Sequence, residues 1–196
     1  MPTVSTFTPL GVLLFSTLPV ILGGVLNLMF IRSSLFPSLR APMDCGLAWP
    51  DGVRLFGPNK TWKGLLGCVF FTALSMIVFC MAIGSALESL TIYSGQGTGS
   101  WPAWALEGAL LGLAYIVFEL PNSLVKRRVG IGAGQNGSGR TGILFRLVDQ
   151  VDSILGCSLV LLAYNQITGA DVALLLLFGA GIHWAVSFVL RTVGLR

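Results

Sequence analysis

The sequence predicts an all-α integral membrane protein of about five transmembrane helices, with two charged loops on one side of the bilayer. Three observations carry that expectation. Hydrophobic residues make up 54% of the chain and charged residues 10%, with a mean hydropathy of +0.83, which lies outside the range of soluble globular domains. The apolar residues gather into five runs long enough to span, at about 9–31, 65–87, 103–120, 147–165 and 171–190. All twelve Lys and Arg fall in alternate connections: five in 32–64, five in 121–146 and two after the last run. The positive-inside rule then puts the N-terminus outside and the C-terminus in the cytoplasm, with loops 32–64 and 121–146 facing the cytoplasm from the plasma membrane. A single membrane domain, 1–196, is expected.

The first run is uncharged until Arg32, and the first nine residues hold no Lys or Arg. A cleaved signal peptide needs a basic start and a shorter apolar core, so this segment is expected to remain as a membrane helix. Residues 32–64 then break the apolarity with Pro37, Pro42, Pro50 and Pro58 and bring in Asp44 and Asp51. Within them, Phe56-Gly-Pro-Asn-Lys-Thr-Trp-Lys63-Gly64 leads directly into the second run. Such a turn offers backbone N–H groups, a hydroxyl and two ammonium groups near a helix start, a favourable place for phosphate. The glycine spacing and preceding strand of a P-loop are missing. A plainer reading, a basic turn anchored at the interface by Trp62, accounts for Lys60 and Lys63 but not for the Asp51-Gly52 or Pro58-Asn59 pairs.

The connection that contains 94–100 has no basic residue. The third run carries Glu107 and Gly108-x-x-x-Gly112, a small-residue spacing that lets helices approach closely and is read as packing. Cys45, Cys68, Cys80 and Cys157 are scattered without a C-x-x-C pair, so neither a zinc site nor a disulfide framework is indicated. Gly132-Ala-Gly134-Gln-Asn-Gly137 matches G-x-G-x-x-G but follows a membrane helix and is discounted as a dinucleotide site. His183 lies inside the fifth run, where a neutral imidazole bonded across helices is the plainer reading against a functional one. Glu107 reads either as a proton relay or as an acid near the outer interface.

The chemistry concentrates between Glu119 and Gly156. If Asp149 opens a helix, Arg146, Asp149, Asp152 or Ser153, and Gly156 recur at three- and four-residue spacing and share a face. Two carboxylates one turn apart suit a magnesium ion shared with phosphate oxygens. The competing account is that acids in a first helical turn offset the helix dipole.

Three motifs together resemble the membrane CTP-dependent cytidylyltransferases, and within them the CDP-archaeol synthase subfamily, the short five-span relatives of CDP-diacylglycerol synthase. They are Pro58-Asn-Lys-Thr-Trp-Lys-Gly64, Glu119-Leu-Pro-Asn-Ser123 with Lys126-Arg127-Arg128-x-Gly130-Ile131, and Asp149-Gln-x-Asp152-Ser153 with Gly156. The resemblance implies transfer of CMP from CTP to a glycerolipid phosphate with release of pyrophosphate, in phospholipid biosynthesis, with Mg2+ as cofactor. It makes Asp149 and Asp152 the metal-binding pair. With Lys60 and Lys126 they form the catalytic set, and Asn59, Lys60, Thr61, Lys63, Asn122, Ser123, Lys126 and Arg127 form the nucleotide and phosphate contacts. Asp44 and Asp51 transfer less directly.

The chain departs from the larger diacylglycerol-type enzymes, which have an acid where Gly132 stands, Gly-His-Gly-Gly where Gly139-Arg-Thr-Gly142 stands, and Glu in place of Lys63. These departures favour the archaeol-type branch over one acting on phosphatidate. Expected partners are CTP, a lipid phosphate and membrane lipids, with self-association permitted and nucleic acid not expected. A small transporter or a membrane anchor is the alternative from another class, but a transporter gathers its ionisable groups near the bilayer midplane. Asp→Asn at either member of the acid pair is expected to remove activity and to leave stability nearly unchanged.

Overall fold

The computed structural model describes residues 8–83, 91–93, 100–135, 137–164 and 166–194. Among them are six α-helices and no strand: α1 (Leu10–Phe15), α2 (Leu18–Arg32), α3 (Trp62–Ile83), α4 (Trp101–Arg128), α5 (Gly139–Ala163) and α6 (Gly169–Thr192), with a 3-10 turn at Pro37–Arg40. By length and composition Leu10–Arg32, Trp62–Ile83, Trp101–Arg128 and Gly169–Thr192 can each cross a membrane. The fifth long helix, α5, is of matching length and carries Arg140, Arg146, Asp149 and Asp152.

The first apolar run is broken, for a local reason. Ser16 and Thr17 turn their hydroxyls back onto the carbonyls of Val12 and Leu14, both at 2.7 Å, and Pro19 brings no N–H to the start of α2. The carbonyl of Ser16, left out of the ladder, accepts from the Tyr93 hydroxyl at 2.9 Å, while Ile92 N donates to Ser16 Oγ at 3.0 Å.

Helices α2 to α6 pack successively, each on the next, and α1 returns against α6. Close approach depends on small residues. A Cβ on Gly112 would stand 2.6 Å from the Cys68 carbonyl oxygen, and one on Gly108 would stand 2.7 Å from Ala73 Cα, so the Gly-x-x-x-Gly of α4 is the surface that meets α3. Where α1 meets α6, buried Asp171 completes a capping box with Thr168 and accepts from Thr8 N at 3.1 Å and Thr8 Oγ1 at 3.0 Å. At the other end, Arg32 Nη1 donates to the Gly194 carbonyl at 2.6 Å. Between α2 and α6, walled also by α4 and α5, lies an apolar cavity of about 310 Å³.

Two expectations change. The stretch 121–146 is helical at both ends, leaving only 129–138 as connection. Pro121 lies inside α4; it removes one backbone donor, which a membrane helix tolerates without ending. Asp149 does not open a helix. It lies ten residues beyond the Gly139 start of α5, so the dipole of a first turn does not account for the acids. Residue 88, the loop 94–99, Asn136 and Arg196 lie outside the described residues.

Candidate active site

The site forms where the C-terminal half of α4 lies antiparallel to the middle of α5. Along α4, Glu119, Asn122, Ser123 and Lys126 follow i, i+3, i+4, i+7 spacing; along α5, Asp149, Asp152, Ser153 and Gly156 do the same. The two stripes face each other in register. Lys126 Nζ lies 2.6 Å from both carboxylate oxygens of Asp149. Asn122 Nδ2 donates to Asp149 Oδ1 at 2.6 Å and to Asp152 Oδ2 at 2.9 Å, linking the two acids. One turn further along, Ser153 Oγ donates to Glu119 Oε1 at 3.0 Å, and the other Glu119 oxygen pairs with Lys60. Glycine makes this register possible: a Cβ on Gly156 would stand 2.7 Å from both the Ala114 carbonyl oxygen and Phe118 Cγ.

Lys60 reaches the seam from the loop that precedes α3, and Asp44 sets that loop's path. Its buried carboxylate accepts from Gly46 N at 3.0 Å, Phe56 N at 3.2 Å, Gly57 N at 3.0 Å and the Arg54 guanidinium. Burial pushes this carboxyl up, but Arg54 and the three backbone donors outweigh it and hold the pKa down at about 2. Asp51 caps its own turn by accepting from Val53 N at 2.9 Å and pairs with Arg128 Nε at 3.4 Å. Arg128 Nη1 also donates to the Arg54 carbonyl at 3.1 Å, so the loop is fastened to the end of α4. Asp44 and Asp51 are therefore organisers of the loop.

Of the candidate residues, the fold brings together Lys60, Asn122, Lys126, Asp149 and Asp152. Ser123 is buried on α4 beside Asn122. Asn59 and Arg127 sit at the rim around Gly57, whose φ of +105° strains any other residue and whose Cβ position lies 3.3 Å from both Ala133 Cβ and Asn59 Oδ1. Arg127 Cδ lies 3.9 Å from the position a Gly57 Cβ would take, and Arg127 Nε is buried without a hydrogen-bond partner among the described residues.

Thr61 caps α3, its Oγ1 accepting from Gly64 N at 3.2 Å. Lys63 does not join the cluster. It is 0% exposed, donates to the Ser33 carbonyl at 2.8 Å and lies 4.6 Å from the centre of the Phe30 ring, tying α3 to the end of α2. Glu107 accepts from Gln166 Nε2 at the opposite end of α4, well away from the cluster. His183 borders the cavity from α6.

Glu119 opens one of the sequence motifs, but sequence reasoning gave it no role in the site. Its signal was the α4 stripe itself, which becomes visible once the helix is carried through Pro121.

A model of the family described as CarS-like, CDP-archaeol synthase, matches residues 13–196. A CDP-archaeol synthase of Aeropyrum pernix is 32% identical over 163 residues, covering 80% of this chain and 77% of that protein. The Pyrococcus furiosus protein of that name is 28% identical, covering 86% and 80%, and the Thermococcus onnurineus one is 26% identical, covering 78% and 79%. Among solved structures, one described as an intramembrane enzyme for archaeal membrane lipids biosynthesis superposes with a TM-score of 0.60 at 23% identity, covering 89% of this chain and 92% of that one, which supports the fold. With the family match spanning both charged segments and every helix from the end of α1 onward, the chain belongs to the CDP-archaeol synthase family.

Proposed function

We propose that the α4–α5 seam transfers CMP from CTP to the phosphate of an isoprenoid ether glycerolipid, 2,3-digeranylgeranylglyceryl phosphate, at the cytoplasmic face of the plasma membrane. As a member of its family the chain is a lipid-phosphate cytidylyltransferase. A phosphate oxygen of the lipid attacks the α-phosphorus of CTP; a new P–O–P linkage forms, the bond to the β-phosphate breaks, and pyrophosphate leaves. No side-chain nucleophile is required. The protein's task is to hold two polyanions in line and to offset their charge.

The observation that carries this reading is the network in which Lys126 and Asn122 hold both carboxylates of α5, beside Glu119 and Ser153, which line an apolar cavity. Water-soluble phosphate chemistry and a hydrocarbon tail meet there. Lys60, Lys126 and Arg127 supply positive charge for phosphate oxygens, and the buried, unpartnered Arg127 Nε suits an oxyanion at the rim. Asn59 and Thr61 lie on the same turn as Lys60, and Ser123 lies beside Asn122.

The residues also fit a magnesium ion. Asn122 Oδ1 is buried without a partner among the described residues, next to Asp149 and Asp152, giving oxygen donors of the kind this ion takes. Two carboxylates and an amide oxygen match its habit of binding few protein groups and leaving the rest of its shell to water and phosphate. When bound, the ion supplies Lewis-acid charge to phosphate oxygens. Lys126, which now holds both oxygens of Asp149, stands where that charge is needed.

The basic residues support a cytoplasmic site, since Arg32, Arg40, Arg54, Lys60 and Lys126–Arg128 gather at one end of the helices. The test is mass spectrometry of lipid products from purified protein with magnesium. CTP is run against ATP and GTP, and the geranylgeranyl acceptor competes with phosphatidate. Unsaturated CDP-archaeol and pyrophosphate are expected. A CDP-diacylglycerol product alone keeps the reaction and changes the acceptor. Absence of any nucleotide-dependent product returns the chain to the transporter or anchor alternatives.

A further inference from the structure

We propose that the cavity beside the α4–α5 seam acts as a ruler for the acceptor's hydrocarbon, taking one chain and stopping it against a floor of Leu13, Ile92 and Tyr93. The inference rests on the cytidylyltransfer reading and adds to it the residues that select the acceptor by its tail. Glu119 and Ser153 border the cavity at its polar end. A lipid whose phosphate sits at the seam therefore has its tail directed into this space.

Its dimensions suit a single chain. Along α2 the lining runs fourteen residues, from Ile31 to Thr17 at the far end, roughly 21 Å at the helical rise. The volume is about 310 Å³. An apolar cavity of about 150 Å³ accepts a benzene ring, so on the same scale this space takes one hydrocarbon chain and not two. The second chain of a diether lipid is left to the bilayer.

The floor is pinned. Leu13, at 1% exposure, belongs to the tight core with Leu111, Leu161 and Leu175, while Tyr93 and Ile92 are hydrogen-bonded to Ser16 at the break between α1 and α2. The interrupted first span thus closes the far end of the cavity, whose wall along α2 runs from Thr17 to Ile31. Gly24 supplies a wall with no side chain: it lines the cavity, and nothing lies within 4 Å of the position its Cβ would take.

Gly24→Leu in the full chain tests this. The acceptors are two dialkylglyceryl phosphates that share a headgroup, one with hexyl chains and one with geranylgeranyl chains. The variant's kcat/KM for the long acceptor is expected to fall by about tenfold or more, the scale on which apolar pockets discriminate chains, with the hexyl acceptor almost unaffected. Ile92→Ala, which deepens the floor, is expected to shift preference toward longer chains. Equal losses on both acceptors in Gly24→Leu would overturn the ruler, as would an unchanged length preference in both variants. If the unaltered protein converts neither acceptor, the cytidylyltransfer reading fails, and the ruler with it. That result is separable because it needs no variant.

Discussion

Asp149→Asn separates the two duties of the acid pair, because of the two acids it is Asp149 that pairs with the Lys126 ammonium. Both of its oxygens lie 2.6 Å from Nζ, so whichever way the new amide turns, its NH2 group faces the ammonium. A hydrogen bond between charged groups contributes about 1.5–3 kcal/mol, and removing one partner of a fully buried pair costs about 3–5 kcal/mol. The side chains of Lys126 and Asp149 are 9% and 27% exposed, which places this pair near the lower range. For a chain of this length, that corresponds to a fall in Tm of roughly 3–12 °C. Among the described residues Asp152 holds Asn122 Nδ2 and the N–H and hydroxyl of Ser153, and an amide oxygen can keep part of that set. Asp152→Asn is therefore expected to abolish turnover with little change in unfolding, whereas Asp149→Asn abolishes turnover and also lowers stability. The measurements are thermal unfolding in detergent by tryptophan fluorescence and CTP-dependent product formation, with Lys126→Met completing a double-mutant cycle. Equal unfolding temperatures for the two Asn variants, or additive losses in the cycle, would refute the pairing. The expectation from sequence that both variants leave stability untouched is thereby narrowed to Asp152.

Gly156→Leu drives a side chain into the Ala114 carbonyl and the Phe118 ring, at an overpacking cost of about 1–3 kcal/mol; the seam should open and activity should fall with it, and wild-type turnover would show that the register does not matter. Arg127→Ala is expected to raise the KM for CTP or the lipid phosphate by an amount equivalent to about 1.5–3 kcal/mol, with kcat less affected; an unchanged KM for both substrates removes Arg127 from the site. The Asp44 carboxyl, held down at about 2 when folded against an ordinary value of 3.8, contributes stability above pH 4 that is lost as pH falls toward 2. Asp44→Asn should remove that acid limb from the unfolding profile, as read by circular dichroism between pH 6 and pH 2, and an unaltered limb would assign it to another carboxylate.

Much of this architecture is legible in residue order, and what is hidden has physical causes. Long apolar runs announce spans because a bilayer requires about twenty apolar residues per helix. Pro121 invites a helix end, yet α4 continues, since one missing backbone donor is cheaper than ending a helix whose next turn carries Asn122 and Lys126 into the seam. Lys60 and Lys63 look alike in sequence, three residues apart. Lys60 precedes the first residue of α3, whereas Lys63 lies in its first turn and is rotated toward Ser33 and Phe30. The Asp149/Asp152 pair was visible from spacing, but its partners were not. Which face of α4 meets α5 is decided by Gly156 against Ala114 and Phe118, a long-range fit that no local pattern encodes.

The resting contacts explain how a cluster of ions is tolerated in a membrane protein at all. Intramembrane charges persist where they are paired, and here two ammonium groups, Lys60 and Lys126, meet three carboxylates, Glu119, Asp149 and Asp152, with the Arg127 guanidinium at the rim. The formal sum is zero. The proposed reaction brings in opposite charges together, a triphosphate and a divalent ion, and each has a counterpart waiting: the ammonium groups for phosphate, the carboxylates for the ion. Binding is then an exchange of partners in which no charge is left bare in a low-dielectric site, where an uncompensated ion costs several kcal/mol. The same logic makes Asn122 hard to replace. Its Nδ2 links the two acids while its Oδ1 has no partner among the described residues, so one neutral side chain both restrains the carboxylates and keeps an oxygen in reserve for an incoming cation.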